Sequence, residues 1–260
     1  MRLKDRVALV TGAASGIGRQ IALRFAREGA MLGIADIDAG AARRVADEIN
    51  QGGGVADAVA LDVADEAQVE AGVDAIAARF GAIDILVSNA GIQHIAPLVE
   101  LSLADWRTVL SVHLDGAFLT TRACMQRMIR QGRGGMILYT GSVHSVEASP
   151  LKAPYVAAKH GLLGLARLVA KEGAAHGIGA NVICPGFVRT PLVEAQIPEQ
   201  ARSLGISQER VVRDVMLRQT VDGEFTTMED VAEVALFFCA FPSRALTGQS
   251  LLVSHGWHMQ

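Results

Sequence analysis

The sequence predicts an α/β fold, a doubly wound Rossmann-type parallel sheet of about seven strands with helices on both faces. Three observations carry that expectation. Short, almost continuously apolar runs alternate with segments whose apolar residues recur at helical period, the pattern of strands covered on both sides. A glycine cluster lies where the first apolar run gives way to the first helical segment. The chain of 260 residues is 50% hydrophobic and 20% charged, which suits a single domain over residues 1–260 with a large core.

The elements follow in order. Residues 7–11 are an unbroken apolar run, read as a strand, and a helix over 16–28 follows the glycines. Strands at 30–36, 55–61 and 83–88 alternate with helical periods at 39–51 and 66–80. A long helix is expected over 103–131, then a strand at 136–140, a helix at 154–176 and a strand at 180–184. Thr226-Thr227-Met228-Glu229 reads as a capping box opening a helix to about 240, and 251–253 is a last strand. Residues 187–222 break the rhythm with Pro191, Pro198 and Gly205. An insertion after the sixth strand falls at the carboxyl ends of the strands, where such sheets bind ligands. It reads as a small helical lid over a substrate; a packed surface excursion is the alternative.

Composition narrows the function classes. A net charge of −3 gives no support for nucleic-acid or membrane-surface binding. No apolar run approaches ~20 residues, so no membrane span is expected. Cys124, Cys184 and Cys239 are odd in number and scattered through apolar stretches. They read as reduced core residues, with no disulfide and no metal site. The first six residues run straight into a strand without a signal peptide, and a cytoplasmic protein is expected.

The glycine cluster is TGAASGIG at residues 11–18. Gly12, Gly16 and Gly18, with Ser15 and Ile17 between them, let the backbone turn sharply and bring a helix N-terminus toward a pyrophosphate. Asp36 ends the second strand, where a carboxylate can accept from a ribose diol and would repel a 2′-phosphate. No arginine occupies the positions immediately after it, so NAD is favoured over NADP; a solvated strand-end aspartate is the plain alternative. Asp62-Val63 ends the third strand and can meet an adenine edge, and Asn89-Ala90-Gly91 ends the fourth with small residues. All four sites fall at carboxyl ends of successive strands.

The chemistry concentrates further on. Tyr155 and Lys159 stand four apart, on one face of a helix. A free phenol titrates near ~10, and an adjacent ammonium favours the phenolate. Ser142, thirteen residues before Tyr155, offers a hydroxyl to hold an alcohol or carbonyl oxygen while Tyr155 moves its proton. Alone, this pairing also arises by chance on helices.

With TGAASGIG, Asp62, Asn89-Ala90-Gly91, Ser142, Tyr155/Lys159 and Pro185-Gly186 with Thr190 in place, the chain resembles the short-chain dehydrogenase/reductase family over essentially its whole length. The resemblance implies an NAD(P)-dependent oxidoreductase in which Tyr155 is the acid/base, Ser142 polarises the substrate oxygen and Lys159 binds the nicotinamide ribose and lowers the tyrosine's pKa. Pro185, Gly186 and the groups around Val188 and Thr190 would hold the carboxamide. A finer likeness, to the bacterial D-3-hydroxybutyrate dehydrogenases, is carried by residues 89–94, 157–161, 183–186 and 188–194 with Gln196. It implies that Gln93, His144, Lys152 and Gln196 hold a substrate carboxylate, that Trp257 packs on its methyl end, and that the protein is a cytoplasmic homotetramer acting on a small anionic hydroxy or keto acid. The helices at 103–131 and 154–176 would supply the interface.

The residues themselves support part of this. Lys152 lies three before Tyr155, so its ammonium can reach an anion beside the reacting carbon. His144 follows Ser142 by two, which in an extended segment puts both on one side. Gln93 and Gln196 offer amide donors. Plainer readings stand beside each: Lys152 paired with Glu147, a turn histidine, surface amides and a packing tryptophan. There are also departures. His113 stands where the family usually has an asparagine supporting a water in a proton relay, and imidazole brings a pH dependence of its own. Ser88 replaces the first asparagine of the usual Asn-Asn-Ala-Gly, Phe187 replaces a tryptophan near the substrate's methyl end, and Ser254-His255-Gly256 replaces Asp-Gly-Gly. The expected reaction is reversible oxidation of (R)-3-hydroxybutyrate to acetoacetate. A dehydrogenase for another secondary alcohol or a 3-oxoacyl substrate, and a non-catalytic NAD-binding protein, are the alternatives.

Overall fold

The first apolar run, Val7–Thr11 (β1), is buried at every residue because layers of helix cover both faces of the strand. In the computed structural model, which describes residues 1–259, it lies inside one sheet of seven parallel strands. These are β1, Met31–Asp36 (β2), Val55–Ala60 (β3), Ile85–Ser88 (β4), Gly135–Thr140 (β5), Ile178–Pro185 (β6) and Ser250–Val253 (β7), in the order β3-β2-β1-β4-β5-β6-β7. The order reverses between β1 and β4, and that reversal opens a crevice at the carboxyl ends of the strands.

The helices are Gly16–Arg27 (α1), Ala39–Gln51 (α2), Glu66–Phe80 (α3), Leu103–Leu110 (α4), Gly116–Gln131 (α5), Ala153–Glu172 (α6), Pro191–Leu204 (α7), the single turn Gln208–Arg210 (α8) and Met228–Cys239 (α9). On one face Ile21 and Phe25 of α1, Val45 of α2 and Leu236 of α9 pack on the sheet. On the other, Val73 of α3, Met128 of α5 and Leu162 of α6 pack around Leu86 and Tyr139. Apolar burial on both faces is the main stabilising term, at about 25 cal/mol per Å².

Several boundaries differ from the expected ones, each for a local reason. The fourth strand begins at Ile85 and not at 83, because the Ile83 backbone is tied to the end of α5: Gln131 accepts from its N–H at 3.1 Å and donates to its carbonyl at 2.6 Å. The helix expected over 103–131 is interrupted by a π turn at Ser111–Asp115, whose extra residue faces His113 into the core. Helix α6 stops at Glu172, and Gly177 (φ 65°) closes the turn that follows. The capping box on α9 is one residue later than read: Thr227 accepts from the Asp230 N–H at 3.0 Å and the Asp230 carboxylate from the Thr227 N–H at 2.9 Å. Residues 187–222 do fold as helices, with a small core of their own around Val193, Ile197, Val211 and Met216. Among the described residues the three cysteines are free, and no helix is long and apolar enough to cross a membrane.

The amino end of the sheet is pinned by Asp84, whose side chain is 1% exposed. It accepts from the Val7 N–H at 2.9 Å and from the Arg133 guanidinium at 2.8 and 2.6 Å. Asp84→Ala strands a buried N–H and a cation, and is expected to cost about 2–4 kcal/mol, read as a lower urea midpoint at unchanged slope.

Candidate active site

The crevice at the carboxyl ends is a cleft of about 380 Å³ that runs from Asp36 to Trp257. Its nucleotide end is shaped by backbone approach. Gly12 (φ 62°) lies so close to β4's end that a Cβ there would sit 2.8 Å from the Ala90 Cα. A Cβ on Gly18 would meet the Gly12 carbonyl at 2.3 Å, so Gly18 packs the loop tightly without itself lining the cleft. Ser15, Gly16 and Ile17 line it, and Asp36 closes that end, accepting from the Ala14 N–H at 3.0 Å and the Asp38 N–H at 3.1 Å. A carboxylate has capacity beyond those two bonds. Asp62, Val63, Ala90, Gly91, Pro185, Gly186, Val188 and Thr190 complete the walls.

Asn89 lines the cleft as well, and its side chain also braces the strand ends. Its amide donates to the Thr11 and Gly12 carbonyls at 3.0 and 3.2 Å, and its oxygen accepts from the Thr140 hydroxyl at 3.1 Å. It ties the glycine loop to the ends of β4 and β5.

At the other end, Ser142, His144, Lys152, Tyr155 and Lys159 share the cleft with Gln93, His113, Phe187, Gln196 and Trp257. Residues 143–145 form a 3-10 turn capped by the Ser142 hydroxyl, not the extended segment expected, and the turn still presents both Ser142 and His144 to the cleft. The His144 ring stands edge-on to Tyr155 (centroids 6.0 Å) and to Trp257 (5.5 Å), and Trp257 stacks on Phe187 at 5.2 Å and 16°. Gln196 is partly engaged in its own helix, donating to the Leu192 carbonyl at 3.2 Å, while the Gln93 oxygen accepts from the His94 N–H at 3.2 Å.

Electrostatics sort these groups. Lys159 is buried and donates to the Thr140 carbonyl at 2.5 Å; burial brings its pKa down to about 8. Its ammonium lies 5.3 Å from the Tyr155 ring centroid. Burial pushes the Tyr155 phenol up, and the Ser142 hydroxyl pulls it only partly back. His113 and His144 are each lowered to about 3, burial being the largest cause and a neighbouring lysine the next, so both rings are neutral and the separate His113 titration expected near neutrality is absent. Lys152 is also brought down to about 8 by burial. The Glu147 pairing considered for it does not form; Glu147 accepts from Gln219 and His258 instead.

A family model described as Enoyl-(Acyl carrier protein) reductase matches residues 12–258. The D-beta-hydroxybutyrate dehydrogenase of Rhizobium meliloti (strain 1021) is 38% identical over 260 residues, covering 98% of this chain and 99% of that protein. The chain belongs to the short-chain dehydrogenase/reductase family. The 3-oxoacyl-(acyl-carrier-protein) reductase FabG of Thermotoga maritima is 36% identical over 98% of this chain and 99% of its own length. A short-chain type dehydrogenase/reductase from Mycobacterium marinum superposes with a TM-score of 0.90 at 29% identity, covering 99% of this chain and 97% of that one. Membership implies a nicotinamide cofactor, and the glycine-shaped nucleotide end fits one.

Sequence reading missed Thr140, whose carbonyl holds Lys159, and the apolar wall of Leu192 and Val193 on α7. A strand-end threonine carries no signal of its own; α7 was legible only as an insertion. The coupling of Gly91 to His113 was also hidden: a Cβ on Gly91 would lie 2.4 Å from the His113 Cε1. Gly91→Ala should therefore lose about 1–3 kcal/mol of stability, and adding His113→Ala should recover part of it, a non-additivity read from urea melts of the two singles and the double.

Proposed function

We propose that this oxidoreductase oxidises a small 3-hydroxy acid with NAD, reversibly, and that the acid is (R)-3-hydroxybutyrate, giving acetoacetate. The observation that carries the reading is Lys152. It is 5% exposed, and among the described residues it has no carboxylate and no hydrogen-bond acceptor, only the Phe187 ring 4.6 Å from its Nζ. A cation–π contact returns about 2 kcal/mol when desolvated, against the several kcal/mol that burying an ammonium costs. Lys152 also caps the N-terminus of α6, where the helix dipole favours an anion and not a cation. Leu151 before it holds φ 69°, a conformation that costs energy for leucine and sets the turn that brings Lys152 inward. A substrate carboxylate answers all of these at once.

In this reading Gln93, His144 and Gln196 stand round the carboxylate with Lys152, and Trp257 and Phe187 enclose the short alkyl end. The residues at 187–222 act as the lid. Tyr155 removes the hydroxyl proton and Ser142 steadies the oxygen; Lys159 holds the ribose and stabilises the phenolate. The dinucleotide, held by Gly12, Gly16, Asp36, Asp62 and Thr190, supplies the hydride acceptor. Asp36 disfavours a 2′-phosphate, which supports NAD. Orientation by a pinned carboxylate can supply several kcal/mol of the barrier reduction. The name carried by the Rhizobium meliloti relative supports the same substrate. A cytoplasmic homotetramer built on the 103–131 and 154–176 segments fits the exposed Phe118 and Leu168 there.

The test is an NAD⁺-reduction screen over both enantiomers of 3-hydroxybutyrate, longer 3-hydroxy acids and neutral secondary alcohols. The (R)-acid is expected to lead. Lys152→Ala should raise its KM by at least about tenfold while hardly changing turnover of any neutral alcohol, and Tyr155→Phe should remove NADH formation. Faster turnover of neutral alcohols, with Lys152→Ala harmless, would overturn the assignment.

The pH profile gives a second test. Lys152 titrates at about 8 in the free protein and binds the anion only when charged. The KM for the acid should therefore stay flat below pH ~8 and rise above it, and that rise should vanish in Lys152→Ala.

A further inference from the structure

Glu147 lies outside the groups assigned above, yet two separate segments, the 187–222 insertion and the C-terminal tail, converge on it. It stands half-buried just past the Ser142 turn. One carboxylate oxygen accepts from the Gln219 amide at 3.0 Å, at the end of the 187–222 insertion. The other accepts from the His258 ring at 3.2 Å, in the C-terminal tail. The Trp257 indole N–H lies toward the same carboxylate without completing a hydrogen bond. Insertion and tail are also joined directly: the Val221 N–H donates to the His255 carbonyl at 2.9 Å, and the His255 ring meets Asp222 at 2.6 Å. Gly256 (φ 70°) turns the tail so tightly against Val221 that a Cβ would sit 2.8 Å from it. The product of these ties is the placement of Trp257, 8% exposed, face to face with Phe187 across the substrate end of the cleft.

We infer that Glu147 is a positioning residue that latches the C-terminal tail to the insertion and thereby sets how long a substrate the pocket accepts. Its carboxylate is bonded to both segments. Without it, Trp257 keeps its stacking but loses the tie to the Ser142 turn, and the wall against the substrate's alkyl end loosens. The inference deepens the reading of the site as one for a small 3-hydroxy acid and rests on it for the length selectivity, while the latch itself does not depend on the substrate.

Two readouts test it on the full-length enzyme. The chain has two tryptophans, Trp106 and Trp257, so a Trp106→Phe background leaves Trp257 as the sole reporter. In that background Glu147→Ala should red-shift Trp257 emission and increase its quenching by acrylamide, and Glu147→Gln, which keeps an acceptor oxygen, should recover part of both. In steady-state assays Glu147→Ala should raise the KM for 3-hydroxybutyrate about tenfold with kcat within about twofold, the size expected for losing charge-assisted hydrogen bonds. The ratio of kcat/KM for 3-hydroxyhexanoate to that for 3-hydroxybutyrate should rise, with Glu147→Gln intermediate. Unchanged Trp257 emission together with unchanged KM would overturn the latch. So would an equal fall in activity toward both acids that Glu147→Gln does not relieve, since that marks a plain loss of folding. If the wild type turns over no hydroxy acid but the emission still shifts, the substrate reading fails and the latch stands.

Discussion

One run of hydrogen bonds holds both halves of the site together. Lys159 on α6 donates to the Thr140 carbonyl at the end of β5, and the Thr140 hydroxyl donates to Asn89 at the end of β4. Asn89 in turn donates to the carbonyls of Thr11 and Gly12, where β1 becomes the glycine loop. The run therefore crosses β5, β4 and β1, and connects the helix bearing Tyr155 to the loop shaped for a pyrophosphate. The Lys159–Thr140 bond is short and buried, where a hydrogen bond is electrostatically stronger and a broken one costs more, and the Asn89 bonds are partly buried. The Thr11 hydroxyl reinforces the junction by accepting from the Asn89 and Ala90 N–H groups at 3.0 and 3.1 Å. Both ends of the cleft are in this way referred to the same strand ends.

Two lysines are buried in that framework, and they differ in what compensates them. Lys159 has the Thr140 carbonyl; Lys152 has only an aromatic face. Burial lowers both to about 8, so near neutrality each remains largely a cation held in an unfavourable place. The neutral state of His113 and His144 follows from the same charges and the same burial, since each ring has a lysine as its second depressing influence. The substrate end of the cleft thus carries two buried lysines among neutral polar and aromatic side chains.

The sheet, the helices and the nucleotide end were legible in the sequence because each rests on a local rule: apolar runs for strands, helical period for helices, glycines where backbone must approach backbone. Tyr155 and Lys159 were legible for the same reason, since a one-turn spacing fixes their relation, while Ser142 was legible through the family resemblance. What the sequence did not disclose depends on contacts between distant segments. Asn89 read as a small turn residue beside a cofactor, and its side chain proves to be a strut between strands. Glu147 entered only in the plainer alternative for Lys152, five residues on, and is instead bonded to Gln219 and His258, 72 and 111 residues away. The balance of burial against charge at Tyr155 was equally out of reach, because proximity of an ammonium is visible in spacing and desolvation is not.

His113 shows how far one extra residue in a helix can reach. The π turn at Ser111–Asp115 faces its ring into the core, edge-on to Tyr155 with centroids 5.2 Å apart. There Nε2 lies 2.7 Å from the Ile92 carbonyl oxygen and 3.1 Å from the Ile92 nitrogen. One ring nitrogen cannot donate and accept at once, and the shorter contact assigns Nε2 the proton. Nδ1 is then a buried acceptor, and it has no partner among the described residues. The ring occupies the Ile92 carbonyl directly, in the place where a smaller amide would leave room for water. Being neutral and hard to protonate, it is poorly suited to carry a proton away from Tyr155. Its evident work is steric: it fills the space over Gly91 and stiffens the strand end that flanks the cleft.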